Sequence, residues 1–126
     1  MSAAGDPHFP RLVPIEGYRK GGFSFAGMSH RGSLLCLPSG IWAWPVLRAA
    51  DISEVTLAPV FAEADDIGLF LLGVGQGPWD MPITLRRRFQ ELKLTLEVTR
   101  TGIAVSTFNL LLEEGRRVAA GLLAVE

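Results

Sequence analysis

A strongly apolar segment that runs into a glycine-rich turn is the feature of this chain that most constrains its fold. Residues 67–72 read Ile-Gly-Leu-Phe-Leu-Leu and lead directly into Gly-Val-Gly-Gln-Gly-Pro at residues 73–78. A short apolar run that ends at glycines is typical of a buried strand followed by a tight turn. In open α/β sheets ligands bind at the carboxyl ends of strands, so this loop is where a binding site is expected.

The carboxyl-terminal half alternates strand-like and helix-like patterns. The patterns predict, in the order strand, helix, strand, helix, strand, elements over residues 67–74, 82–92, 94–98, 102–114 and 116–125. Pro82 suits the first turn of the first helix, Thr101 is placed to cap the second helix, and Gly115 is placed to follow it in the left-handed conformation. This βαβαβ order predicts an α/β fold.

The amino-terminal half consists of short apolar or aromatic runs separated by Gly and Pro. Candidate strands lie at residues 15–18, 22–25, 33–37 and 41–44. Pro and Gly at residues 38–40 give a turn signal, and the alternation of Trp42 and Trp44 places both rings on one face of a strand, which predicts a β-hairpin.

The remaining segments are expected to be less regular. Residues 27–33 are expected to form a turn with His30 exposed. A strand near residues 52–55 and a short helix near residues 59–63 are expected in the middle of the chain, where prolines interrupt any longer pattern.

Length and composition allow one domain. The chain has 126 residues, of which 48% are hydrophobic and 20% are charged, enough to bury a core but too few for two domains. Its first residues are rich in Pro, Gly and other small residues, so we expect a mobile arm over residues 1–11 and a single α/β domain over residues 12–126.

Charge, cysteine and targeting features lead us to expect a cytoplasmic protein. A formal net charge of -1 gives no global field that would attract nucleic acid. The amino terminus lacks the apolar core of a secretory signal, and no apolar run approaches the roughly 20 residues that span a bilayer. Cys36, the single cysteine, lies in an apolar run and is expected to be a small buried hydrophobe in a reducing compartment.

The glycine loop allows two interpretations. Gly73 and Gly75 are followed by Pro78 where a dinucleotide fingerprint would have its third glycine, and no Lys-Ser or Lys-Thr pair follows that would indicate a P-loop. The glycines then serve a tight strand-to-helix turn. Alternatively, loop amides at a helix amino terminus bind an anion or small ligand. The tentative site for that ligand comprises Gly73, Gly75, Gln76, Gly77, Thr101 and Arg116.

Two surface features are candidates for binding a protein partner. Arg86, Arg87 and Arg88 form the one dense basic run, and on a helix they spread over about 200° of arc, which is typical of a solvated face. An acidic partner surface is the alternative interpretation. Trp42 and Trp44 on the predicted hairpin are the second candidate.

Residues that could carry out catalysis are few. The chain has two histidines, neither with a second ligand at metal spacing, so we expect no metal and no cofactor. The serines lack a nucleophile elbow, and the acidic pair at residues 65–66 resembles a solvated turn. An enzyme would have to use Glu114, Asp80 or Glu97 as its acid or base, and these would have to share a cleft.

Several motifs together carry a family resemblance. They are Gly22-Phe23, Gly32-Ser33-Leu34-Leu35, Gly73-Val74-Gly75, Thr101-Gly102-Ile103-Ala104, Thr107-Phe108-Asn109 and Glu114-Gly115-Arg116-Arg117-Val118-Ala119-Ala120. With them, residues 15–125 resemble a family of small bacterial proteins of unknown function that is related to mitochondrial NADH dehydrogenase (complex I) assembly factor 3. The family usually has Gly-Thr-Gly in the loop and Thr-Tyr-Asn in the last helix, so this chain has fewer polar groups in both places.

The resemblance implies both a fold and a role. The fold is a three-layer α/β structure with a five-stranded mixed central sheet, whose last strand is antiparallel to its neighbours, and with amino-terminal hairpins as an extra β layer. No catalytic activity is established for the family. Its mitochondrial members help to assemble complex I beside the inner membrane, and bacterial members are often encoded near genes for membrane-protein export and insertion.

Three functions therefore remain open. The first is a non-enzymatic interaction or assembly protein for a membrane-associated complex, cytoplasmic and peripheral to the inner membrane, whose partners are respiratory or membrane-insertion subunits. The second is a small-ligand or anion-binding domain that uses the glycine loop. The third is an enzyme. We expect them in that order, because an interaction role needs no reactive residue.

Overall fold

A computed structural model describes residues 6–126 of the chain. The described part contains eight strands and three α-helices. In chain order they are β1 Gly17–Arg19, β2 Gly22–Phe25, β3 Met28–Arg31, β4 Ser33–Leu37, β5 Gly40–Trp44, α1 Ala58–Ala62, β6 Leu69–Gly73, α2 Ile83–Glu91, β7 Thr95–Thr99, α3 Thr101–Glu113 and β8 Val118–Leu122.

The central sheet has five strands in the order β5-β4-β8-β6-β7. Strand β6 is parallel to β7 and β8, whereas β4 is antiparallel to β5 and β8, which confirms the mixed five-stranded sheet and the βαβαβ order. The last strand, β8, is antiparallel to β4 but parallel to β6. The expectation that it is antiparallel to its neighbours thus holds on one side only. Helix α3 carries the chain back to the end of the sheet at which β6 and β7 begin, so β8 runs in the same direction as they do.

The extra β layer is confirmed as a three-stranded antiparallel sheet, β1-β2-β3. Two tight turns connect its strands, and both residues of each turn have positive φ: 52° and 77° at Lys20 and Gly21, and 50° and 75° at Ala26 and Gly27. The expected turn at residues 27–33 was wrong, since β3 occupies most of it. Lys-Gly and Ala-Gly are weaker signals for these hairpin turns than Asn-Gly, so the sequence did not reveal the third strand.

Two hydrophobic cores lie on opposite faces of the central sheet. One packs Phe70 and Leu72 of β6 against Phe89 of α2 and the α1 segment. The other packs the opposite face of the sheet against Phe108 of α3 and Phe23 of the small sheet. The structure therefore has three layers, with α1 and α2 on one face and α3 with the small sheet on the other.

The segment between β5 and α1 contains no strand at residues 52–55, and that expectation was wrong. The Ser53 N–H donates to the Thr56 hydroxyl at 2.8 Å, and the Leu57 N–H donates to the Ser53 carbonyl at 2.9 Å. These short-range bonds form a turn that leads into α1, so the backbone is satisfied locally and does not join a sheet. The expected short helix near residues 59–63 is confirmed as α1.

The amino-terminal segment contacts the edge of β5. The His8 N–H donates to the Ile41 carbonyl at 2.8 Å, and the Ile41 N–H donates to the Phe9 carbonyl at 2.9 Å. The division into an arm over residues 1–11 and a domain over residues 12–126 stays a prediction. Residues 1–5 lie outside the described residues. His8 and Phe9, within the expected arm, are hydrogen-bonded to Ile41 of β5.

Candidate functional site

The glycine loop packs closely against the start of α3. A Cβ atom added at Gly73 would lie 2.9 Å from the Thr101 Cα, so only glycine fits there. Gly75 has a φ of +88°, the left-handed conformation that a tight turn requires of glycine. The loop is anchored to both flanking strands, since the Val74 N–H donates to the Thr99 carbonyl and the Leu123 N–H to the Gly73 carbonyl, each at 2.9 Å.

The buried side chain of Thr101 is hydrogen-bonded to the glycine loop. Its fully buried hydroxyl accepts a hydrogen bond from the Gly75 N–H at 2.9 Å and donates one to the Leu123 carbonyl at 2.8 Å. The expectation that Thr101 caps α3 was wrong. Arg100 is the N-cap residue, and Thr101 is the first residue of the helix, from which its side chain reaches the loop and the end of β8.

These contacts leave little of the loop available for a ligand. The Gly75 N–H and the Thr101 hydroxyl already have partners, and the Thr101 N–H donates to the Gly75 carbonyl at 3.0 Å. Gln76 and Gly77 are exposed to solvent. The tight-turn interpretation accounts for Gly73 and Gly75, because the close approach at Gly73 and the φ of Gly75 both require glycine.

Arg116 does not join the loop. It precedes β8, and because β8 is parallel to β6, Arg116 lies at the amino end of the strand pair while Gly73 lies at the carboxyl end. A five-residue strand separates the two ends by about 16 Å. The Arg116 guanidinium instead lies 4.0 Å from the Glu114 carboxylate, and both side chains are exposed.

The three candidate acids or bases do not share a cleft. Glu114 follows the end of α3, Glu97 lies on the edge strand β7, and Asp80 lies in the loop before α2. All three are exposed. Within residues 6–126 no group of three His, Cys, Asp or Glu side chains is arranged to hold a metal ion.

Cys36 and His30 differ in their surroundings. Cys36 is fully buried, and burial raises the pKa of its thiol to about 12, so it remains protonated and unreactive at neutral pH. His30 is half-buried rather than exposed, with its ring centre 4.8 Å from that of His8. Partial burial, together with the neighbouring His8, lowers the pKa of His30, and a hydrogen bond to the Ser33 carbonyl partly opposes that shift.

The arginine run of α2 is divided between solvent and a structural contact. The Arg88 guanidinium lies 3.1 Å from the Glu54 carboxylate and 5.4 Å from the centre of the Phe61 ring. Arg86 and Arg87 are exposed. Two of the three predicted partner-binding arginines are therefore on the surface, while the third joins α2 to the segment before α1.

The two tryptophans of the hairpin lie on the same face of β5 but have different environments. Trp44 is buried, and its indole N–H donates to the Thr56 carbonyl at 2.8 Å. Trp42 is half-buried, and its indole N–H donates to the Ser39 hydroxyl at 2.9 Å. Ser39 in turn donates from its N–H and its hydroxyl to the Glu63 carboxylate, at 2.9 and 2.5 Å. Trp44 thus supports the fold, and Trp42 is held in a fixed orientation at the surface.

An apolar groove of about 580 Å³ lies between β5 and α1 beside Trp42. Its lining is mostly carbon, and the residues that shape it are Leu35, Leu37, Trp42, Val55, Pro59 and Ala62. Val55 is 82% exposed. The sequence pointed to the tryptophans but missed Val55 and Pro59, which belong to a distant segment that only folding brings to the hairpin. We refer to this feature as the β5–α1 groove.

The fold and the surface define a class of protein: a three-layer α/β domain that has an apolar groove beside Trp42 and whose three candidate acids or bases lie apart. A family model described as "Protein of unknown function (DUF498/DUF598)" matches residues 15–123, and the chain belongs to that family. No helix in the described part is both long and apolar enough to span a membrane.

Two curated relatives illustrate the range of the family. An uncharacterized protein of Rhodobacter capsulatus is 35% identical over 121 residues, which cover 96% of this chain and 92% of that protein. NADH dehydrogenase [ubiquinone] 1 alpha subcomplex assembly factor 3 of mouse is 28% identical over 115 residues, covering 91% of this chain and 62% of the mouse protein. The chain thus spans about three fifths of the mouse relative, and the family is related to complex I assembly factor 3.

Solved structures share the fold. The crystal structure of an outer membrane protein from Bartonella henselae has a TM-score of 0.90 and 43% identity, and the match covers 94% of this chain and all of that one. A Bordetella pertussis protein described as a Mth938-like domain has a TM-score of 0.74 and 22% identity, covering 88% of this chain and 85% of that one. The second likeness shows the fold alone.

Proposed function

We propose that this protein is a non-enzymatic interaction protein that assists the assembly of a membrane-associated complex of the respiratory complex I kind. The observation that carries the proposal is the β5–α1 groove, an apolar surface with an oriented Trp42 at its wall. An exposed apolar groove is suited to binding an apolar protein segment, because removal of apolar area from water drives association. The similarity to the mouse assembly factor supports the choice of complex.

The other two functions have weaker support. An enzyme needs an acid or base in a common cleft, and Glu114, Asp80 and Glu97 lie at separate places on the molecule. An anion site at the glycine loop needs free amides and a nearby cation, yet the Gly75 N–H is bonded to Thr101 and Arg116 lies at the opposite end of the sheet. We therefore favour the assembly role, in the cytoplasm and peripheral to the inner membrane.

Affinity capture from native cells tests the proposal. The tagged chain is used to capture proteins from gently solubilised membranes, with Val55→Glu as the groove variant and Leu47→Glu as its control. Both residues are exposed, 82% for Val55 and 84% for Leu47, so neither change disturbs the core, and Leu47 does not line the groove. We expect wild type and L47E to capture the same respiratory or insertion subunits and V55E to lose them, because binding would bury its carboxylate among apolar side chains.

The result that would overturn the proposal is capture of no such subunit by the wild-type chain. Equal capture by V55E and L47E would keep an assembly role but remove the groove from it. In that case Arg86 and Arg87 on α2 would be the next surface to test, by replacing both with Ala.

A further inference from the structure

The edge of the central sheet beside the groove is open at Ala43. Strand β5 is the outermost strand, and its Ile41 N–H and C=O point outward to Phe9 and His8. Outward groups alternate along an antiparallel strand, so Ala43, two residues on, directs its N–H and C=O the same way. Within residues 6–126 neither of these Ala43 groups has a hydrogen-bond partner.

Residues 7–10 of the amino-terminal segment do not cover this part of the edge. A Cβ atom added at Gly40 would lie 3.1 Å from the Pro7 Cβ, which places Pro7 beside Gly40, on the far side of Ile41 from Ala43. These described residues therefore contact β5 at Gly40 and Ile41. Their bonds to Ile41 also show that this edge can pair with an added strand.

The groove lies against the same edge. Ala43 is among its lining residues, with Trp42 and Trp44 on either side along β5. An extended segment that bonded to Ala43 would direct every second side chain toward the groove, since side chains alternate along a strand. Its volume of about 580 Å³ has room for apolar side chains, and the bonds from Trp42 to Ser39 and from Ser39 to Glu63 hold its wall in place.

The segment that forms the opposite wall of the groove carries several acidic residues, of which Glu63 lines the groove itself. Residues 49–66, which include α1, contain five Asp or Glu and no Lys or Arg. Asp51 and Glu54 have arginine partners, whereas Glu63, Asp65 and Asp66 have no ion pair within the described part of the chain. A partner segment with Lys or Arg beside its apolar residues would complement the charge of residues 49–66, and an acidic one would be repelled.

We propose that β5 accepts an extended segment of a protein partner as a sixth strand of the central sheet. The segment bonds to the Ala43 N–H and C=O, places alternate apolar side chains in the β5–α1 groove and carries basic residues that complement the acidic segment at residues 49–66. Strand addition of this kind combines main-chain hydrogen bonds for affinity with side-chain pockets for specificity. The inference rests on the proposed function and adds its mode of binding.

The probe is a library of short random peptides displayed on phage, from which binders to the full chain are selected. The best binders are then made as synthetic peptides. Ala43→Pro removes the outward N–H without removing a ladder bond, and proline is tolerated on edge strands. Ala43→Ser keeps the N–H and is the matched control. Val55→Lys, an exposed change in the groove, gives a second variant that does not alter the backbone.

We expect selected peptides to alternate apolar residues and to be rich in Lys and Arg. In the complex the Ala43 amide should exchange slowly with solvent. A43P should weaken binding about fivefold or more, the effect of a lost hydrogen bond of about 1 kcal/mol, while A43S should not. V55K should weaken binding by repulsion of the basic segment.

Several results would overturn the proposal. They are the selection of no peptide, peptides that leave the Ala43 amide unprotected, and equal affinities for A43P and A43S. A slow Ala43 amide in the free monomer would show that the chain itself covers the edge, and self-association that A43P abolishes would show that a second copy does. If A43P captures the same cellular partner as wild type, the assembly role stands and this mode of binding fails.

Discussion

At the scale of single residues, one buried hydroxyl shows what the glycine loop is for. Thr101 joins the Gly75 N–H and the Leu123 carbonyl, and so connects the loop after β6 with the chain after β8. The bond to Leu123 is buried and the bond from Gly75 is partly buried, so an unpaired polar group at either place costs free energy. The loop thus has a structural role: it is hydrogen-bonded through Thr101 to the chain after β8, and Gly73 allows the close approach that these bonds require.

Replacing Thr101 with Val should destabilise the protein more than replacing it with Ser. Valine keeps the shape but leaves the Gly75 N–H and the Leu123 carbonyl without partners, which should lower the free energy of unfolding by about 2–4 kcal/mol. Serine retains the hydroxyl and loses one methyl group. Urea unfolding measures both, and equal losses for T101V and T101S would show that packing rather than hydrogen bonding matters there.

Cys36 should make stability fall with pH in alkaline solution. Its thiol has a pKa of about 12 when folded against a usual value of 9.0, so between these values the unfolded chain releases a proton that the folded chain retains. The free energy of unfolding should therefore decrease above pH 9, by up to about 1.4 kcal/mol per pH unit from this group.

The test for Cys36 compares urea unfolding of wild type and Cys36→Ala between pH 8 and pH 11. The alanine variant is less stable throughout because it leaves a cavity, but its stability should decline less steeply with pH. Parallel curves for the two proteins would contradict the prediction.

At the scale of elements, the small sheet depends on a contact from a helix far away in the chain. The Asn109 amide on α3 accepts from the Ile15 N–H and donates to the Ile15 carbonyl, each at 2.8 Å, across a separation of 94 residues. This pair fixes the segment that leads into β1. It gives a structural reason for the asparagine in the Thr107-Phe108-Asn109 motif.

Asn109→Ala should loosen the small sheet while leaving the central sheet intact. Both Ile15 backbone groups lose their partners, so amide hydrogens of β1 and β2 should exchange faster, whereas those of β6 and β8 should not change. Leu110→Ala is the control, because Leu110 lies on the same helix and is 56% exposed. Uniform acceleration across both sheets in N109A would show that the small sheet does not unfold separately.

At the scale of the whole molecule, two cores share one sheet. Leu72 of β6 contributes to the core under α1 and α2, and its neighbour Leu71 contributes to the core under α3. Because the faces alternate residue by residue along the same strands, neither core can be lost while the other keeps its sheet. This supports the prediction of a single domain over residues 12–126.

Unfolding of the wild-type protein should accordingly be one cooperative transition. Trp42, Trp44 and Trp79 all lie in or against the core on the α1 and α2 face, so their fluorescence reports on that face alone. Far-ultraviolet circular dichroism reports on all elements. The two signals should give the same urea midpoint, and a separate transition by circular dichroism would contradict the single-domain prediction.

Much of the fold was determined by local sequence. The apolar run and glycines at residues 67–78, and the periodic segments that follow, predicted the βαβαβ order because strand and helix patterns differ within a few residues. The hairpin at Trp42 and Trp44 and the burial of Cys36 were predicted for the same reason. Strand β3, by contrast, was missed because the turn residues before it, Ala26 and Gly27, are a weak hairpin signal. The strand expected at residues 52–55 was wrong because Ser53 and Thr56 form local hydrogen bonds with that backbone instead.

Only the tertiary structure decided which distant residues meet. It placed Arg116 at the opposite end of the sheet from Gly75. It directed the Thr101 hydroxyl to Gly75 and Leu123 instead of the expected helix cap, and it brought Trp42 and Val55 together in the β5–α1 groove. Those outcomes depend on whether β8 runs parallel or antiparallel to β6 and on where α1 packs. Both depend on the free energy of packing the whole core, which no local segment of sequence determines. The sequence by itself determined most of the elements, because their patterns are local, while the pairing of those elements determined the surfaces on which function depends.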